Sequence, residues 1–187
     1  MVDRTFTPYE PGEKQYPKLT SDQILQLENI QPSVSSGCRL WPCMVLLSNN
    51  QKLDYVCIAN AQEYIKYWGA WPEDDPGKTS IDIRDIKKIS SSKNRLPKNF
   101  VDKLNSAGES GMGFLVYRVL FSDNSDYIFM AGGVVDFIVL PENKSISDIV
   151  DVEPLNHDEV SDLQNLNKLD YSNYQWCLFS EPPPVEK

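Results

Sequence analysis

Apolar positions along the chain recur with two periods, and the switches between them mark the elements. Ile24, Leu27 and Ile30 form one helical stripe. Ahead of them Thr20 and Gln23 have the spacing of a capping box, in which the threonine oxygen accepts an early helix amide and the glutamine reaches back. The same spacing recurs at Asn60 with Glu63 and at Asn156 with Glu159. These caps predict helices near residue 21, over 61–68 up to Gly69, and over 158–169 with Val160, Leu163 and Leu166 on one side. A further helix opens at Pro97, sets Phe100, Val101, Leu104 and Ala107 on one face, and closes at Gly108 in an αL cap.

Strand signals lie between the helices. Residues 43–48 and 53–59 flank the polar turn 49–52 and read as a hairpin. Residues 114–121 are apolar on both alternating faces apart from Arg118, as in a central strand, and Asp123, Asn124 and Ser125 turn the chain into a partner over 127–130. The runs 134–140 and 149–152 read as further strands, and the aromatic run 174–179 as a closing edge strand. Ile81, Ile83, Ile86 and Ile89 fit neither period well, and a strand is the preferred reading. Neighbouring strand runs joined by short turns predict an α+β fold: a mostly antiparallel sheet of about five to seven strands flanked by about three to four helices.

A chain of 187 residues, 41% apolar with 4 Trp, 9 Tyr and 7 Phe, can bury one core. Residues 1–19, with Pro8, Pro11, Gly12 and Pro17, read as an extended arm. Residues 20–180 read as a single domain, and 181–187, with Pro182, Pro183 and Pro184, as a Pro-rich frayed tail. The densest apolar stretch, 114–140, is interrupted by Arg118, Asp123, Asp126, Asp136 and a Gly-Gly pair, so it does not read as a membrane span. The first residues lack an apolar segment behind a basic cap. The expectation is a soluble, cytoplasmic protein without membrane partners, whose cysteines Cys38, Cys43, Cys57 and Cys177 are reduced.

A net charge of −9 opposes nucleic acid as a partner. The charge is uneven. Residues 78–103 carry eight bases against three acids, and 142–187 carry ten acids against three lysines. Such asymmetry fits charge complementarity within the fold or a surface that steers a basic partner.

Candidate chemistry is sparse. Gly108, Glu109, Ser110, Gly111, Met112 and Gly113 could form a loop that presents amides to an anion, but the order of glycines matches neither a nucleophile elbow nor a dinucleotide fingerprint. The preferred reading is a helix-to-strand connection with an αL cap at Gly108. The one histidine, His157, follows a helix cap in an acidic segment and reads as a solvated turn residue, so no triad base is evident. Cys38 and Cys43 have no second close pair of the kind structural zinc uses, so neither metal nor cofactor is expected. Arg118 and Asp136 stand out as lone charges in apolar runs, where an unpaired charge is costly. They could meet as an ion pair across strands or as the polar floor of a pocket, with Glu109 as a rival partner for Arg118. Trp68 and Trp71 could supply an aromatic wall, or seal an edge of the core.

The string Ala107 to Gly113, the later Val135-Asp136-Phe137 and Ile149-Val150-Asp151-Val152, and the closing Trp176-Cys177-Leu178 together resemble a group of uncharacterised bacterial proteins over about 96–179. That resemblance brings no activity, cofactor or catalytic residue to these positions. Two functions follow as expectations. The first is a non-catalytic, acidic protein-binding role of the immunity or adaptor kind, with a basic protein as partner and a homo-oligomer as the alternative assembly. The second is a small-molecule site or enzyme pocket gathering Glu109, Ser110, Gly111, Gly113, Arg118 and Asp136, with Trp68 and Trp71 as walls.

Overall fold

The computed structural model describes residues 12–111, 113–156, 159, 167–168 and 174–180. In chain order the elements are α1 (Ser21–Leu27), β1 (Ser33–Ser35), β2 (Cys38–Leu47), β3 (Lys52–Asn60), α2 (Ala61–Trp68), β4 (Thr79–Ser80), β5 (Ile86–Ser90), α3 (Lys98–Ala107), β6 (Leu115–Phe121), β7 (Asp126–Ala131), β8 (Ile149–Leu155), β9 (Asn167–Lys168) and β10 (Gln175–Phe179). Short 3-10 turns precede β4, β5 and β8. The class is α+β. No helix among the described residues is long and apolar enough to cross a membrane.

The strands form two sheets rather than one. In the first the order is β1-β2-β3-β10-β4, with β5 also paired to β2. The ten-residue β2 shares one edge between β1, which pairs residues 38–40, and β5, which pairs residues 44–47. Pro42, which has no N–H to give, falls in the gap between these partners. β10 runs parallel to both β3 and β4, so the aromatic closing segment is an interior strand and not the predicted edge. In the second sheet the order is β8-β6-β7-β9, with β6 antiparallel to both neighbours and β9 parallel to β7.

Both faces of the first sheet are covered, which is why its strands read as nearly continuous apolar runs. Trp41, Cys43, Val56, Ile58, Cys177 and Phe179 face α1 and the isoleucines of 83–89. Leu40, Cys57, Ala59, Trp176 and Leu178 face α2 and the segment after β7. The capping box of α1 forms as the spacing predicts. Gln23 accepts from the Thr20 amide at 3.0 Å, while its Nε2 donates to the carbonyls of Ile83 and Ile86. One residue thus starts the helix and docks it. The 81–89 run resisted a single period because Ile83 lies in a 3-10 turn and Ile86 and Ile89 in the strand that follows.

α2 ends at Gly69, whose φ of 72° is the left-handed conformation expected of a glycine cap. Its start differs in part: Asn60 accepts from the amides of Gln62 and Glu63, but the Glu63 carboxylate accepts from the Arg39 amide on β2. The helix predicted over 158–169 lies almost wholly outside the described residues. Only its cap is seen, where Glu159 Oε2 accepts from the Asn156 amide.

Residues 134–140 are not a strand. Val134 and Phe137 pack into the first sheet's core, whereas Val135 and Ile138 pack into the second core, formed by α3 against β6, β7 and β8. Residues 134–138 are an extended connector buried from both sides, held by Leu96 and Ile138 amides donating to the carbonyls of Asp136 and Asn94. Apart from Asp136, its apolar character comes from serving two cores.

Candidate functional site

The structure separates the residues that the sequence singled out together. Arg118 lies on β6, 37% exposed, and pairs with Asp126 at 3.3 Å and Glu153 at 3.2 Å on the strands either side. Asp136 is fully buried, accepts from the Ser33 hydroxyl at 3.0 Å and faces Arg95 at 3.5 Å. The Arg118–Asp136 pairing does not form, because sheet register gives Arg118 acidic neighbours in place (Glu153 directly opposite, Asp126 one diagonal away). Burial holds the Asp136 carboxyl up at about 6, against the opposing pull of Arg95. The trio Ser33, Arg95 and Asp136 joins β1, the loop before α3 and the connector, so it ties the first sheet to the second.

The glycine connection is mostly structural. The Ser110 hydroxyl donates to Leu155 O at 2.6 Å and accepts from the Val116 amide at 2.9 Å, pinning the loop to β8 and β6. Gly111 lies under the Phe114 ring, where any Cβ would collide. Gly113 donates its amide to Glu109 Oε2 at 3.0 Å and has a φ of 77°. Gly108 has a positive φ of 79° but a ψ of −173°, an extended glycine conformation and not the αL cap expected.

Trp68 and Trp71 do not form one wall. Trp71 is buried and donates its indole N–H to Gly12 O at 2.7 Å, with Tyr16 packed on it. Trp68 stacks on Tyr64 and, with Trp176, encloses the Lys78 ammonium, which lies 4.2 Å from the Trp68 ring. Lys78 donates to the Tyr64 hydroxyl at 2.8 Å and pairs with Asp75 at 3.3 Å. Its side chain is 9% exposed, and burial lowers its pKa while Asp75 opposes the shift. The four cysteines are free and buried. Cys43 and Cys177 sit on the α1 face, Cys38 and Cys57 on the α2 face, and burial raises every thiol pKa, that of Cys38 to about 12. Thiols so held are poor nucleophiles.

One concavity does form beside the glycine connection. A cleft of about 380 Å³ opens between the β1–β2 hairpin and the C-terminal end of α3. Val34, Ser35, Ser36 and Gly37 form one wall; Leu104, Asn105, Gly108 and Glu109 form another; Phe114, Leu115, Gly133 and Val135 complete it. Of the eight residues named from sequence, only Glu109 lines it. The hairpin wall is braced from both sides. Asn105 Nδ2 donates to Val34 O at 2.9 Å, and the Tyr67 ring of α2 lies over Gly37, where a Cβ would come within 2.6 Å of it. Ser35 donates to Gly133 O at 2.7 Å.

The hairpin and the α2 residue that covers it carry exposed apolar side chains. Val34 is 53% and Tyr67 46% exposed, and both border a shallower depression with Arg39, Glu63 and Lys66 on the far side of the hairpin. Sequence reasoning missed Val34 and Tyr67 because neither breaks a local pattern; an exposed valine in a strand three residues long gives no signal. No protein-family model matches the chain, and neither curated proteins nor solved structures give a match.

Proposed function

We propose that this protein is a non-catalytic binding module whose partner is another protein with a basic surface. The observation that carries this reading is the braced β1–β2 hairpin together with the end of α2 that covers it: a ridge with two exposed apolar side chains, Val34 on β1 and Tyr67 on α2, and a concavity on either flank. Rigid apolar anchors next to pockets are what protein interfaces use as energetic centres, since little side-chain entropy is lost on docking. The net charge of −9 adds long-range attraction for a basic partner. The dispersed positions of Ser110, Arg118 and Asp136, each engaged within the fold, favour this reading over a catalytic pocket built from them.

Capture from native lysate with the wild type, Val34→Asp and Tyr67→Asp tests it. A near-stoichiometric partner is expected with the wild type and is lost, by about tenfold or more in affinity, with either variant. Equal capture by all three proteins would overturn the reading. Val34 is exposed and Tyr67 also packs over Gly37, so unchanged circular dichroism and an unchanged thermal midpoint of each variant separate a lost contact from a lost brace.

A further inference from the structure

We infer that the cleft between the β1–β2 hairpin and the end of α3 is a socket for a lysine side chain of that partner, with Glu109 as its anion; the inference rests on the protein-binding reading above. Among the residues that line the cleft, Glu109 is the single charged one and no lysine or arginine is present. α3 brings its C-terminal end into the cleft and has no basic residue in its last turn, so the negative end of the helix dipole is unanswered by the helix itself. Leu104, Leu115, Phe114 and Val135 supply apolar walls along which a four-carbon stem can lie while its ammonium reaches the carboxylate.

Several polar atoms of the cleft are placed to accept from a cation. Ser35 commits its proton to Gly133 O, and Asn105 turns its Nδ2 to Val34 O, so their oxygens remain as acceptors. Glu109 already accepts the Gly113 amide on Oε2, which orients the carboxylate and engages one of its two oxygens. A planar guanidinium gains most from two free carboxylate oxygens, whereas a compact ammonium with three rotatable donors needs one oxygen and scattered neighbours. Lysine is therefore the better fit.

The test is an amide NMR titration of the full chain with Nα-acetyl-lysine methylamide and its uncharged norleucine counterpart. The lysine probe is expected to shift the amides of Ser36, Gly108, Glu109 and Gly133, and to bind more tightly than norleucine. Glu109→Gln should weaken the lysine probe by about tenfold and leave norleucine unchanged. Glutamine keeps an acceptor for the Gly113 amide, and an unaltered thermal midpoint confirms that the loop is intact. Equal binding of the two probes, an unchanged lysine affinity in Glu109→Gln, shifts elsewhere, or no shifts at the highest concentration reached would each overturn the socket. If the socket fails while capture still depends on Val34 and Tyr67, the docking face stands without it. A probe that seats through Glu109 while no partner is captured overturns the assignment to a protein lysine.

Discussion

Asp136 shows how far a single residue could be read and where the reading stopped. A carboxylate inside an apolar run had to be buried and partnered, and it is. The partner was invisible, because Arg95 lies 41 residues earlier in a polar stretch and comes near only through the bridge it forms with Phe137. Arg118 gave the same signal for a different reason: it sits on the outer side of a central strand among charges supplied by register. The two differ in burial, and that difference has a pH consequence. The Asp136 carboxyl is raised from 3.8 to about 6, so between these values the folded chain holds a proton that the unfolded chain has lost. Stability from this group accordingly falls as pH rises through the window and is level above it. Chemical denaturation across pH 4 to 7 should show the wild type losing about 1–3 kcal/mol relative to Asp136→Asn. Parallel pH curves for the two proteins would contradict the assignment.

At the scale of elements, caps and periods were legible where a helix or hairpin is decided locally. Thr20 with Gln23, the β2–β3 hairpin, α2 with Gly69, and the β6–β7 pair all lie where the pattern put them. The misread segments are those whose pattern is set by more than one neighbour. Residues 134–140 serve two cores, and β10 is flanked on both sides because β4, only two residues long, reaches it from a loop. Lys78 explains how that loop is held. Its ammonium joins Tyr64 and Trp68 of α2 to Trp176 of β10 and to Asp75 of the loop. Each of these contacts is worth more when shielded from water. Lys78→Ala should therefore lower unfolding stability by about 2 kcal/mol or more, with a red shift of tryptophan emission in the folded state. A loss within about 0.5 kcal/mol, as at an ordinary surface position, would show that the cage carries no load.

At the scale of the molecule, the α+β class followed from adjacent strand runs, whereas the division into two sheets did not. The division depends on the Ser33, Arg95 and Asp136 contact and on the connector that feeds both cores, features with no local signature. The candidate site had the same fate. Glu109 was legible as a charge beside glycines, but the cleft it lines exists only because β1 packs beside α3. Val34 and Tyr67 become a pair only because Tyr67 covers Gly37. The central claim is that this hairpin face meets another protein. It is tested most directly by replacing Tyr67 with a photo-crosslinking phenylalanine analogue in cells, with Leu25 of α1, 58% exposed, as the control position. A single discrete adduct from position 67 and none from position 25 is the predicted result. No adduct, or the same mixture of adducts from both positions, would contradict it.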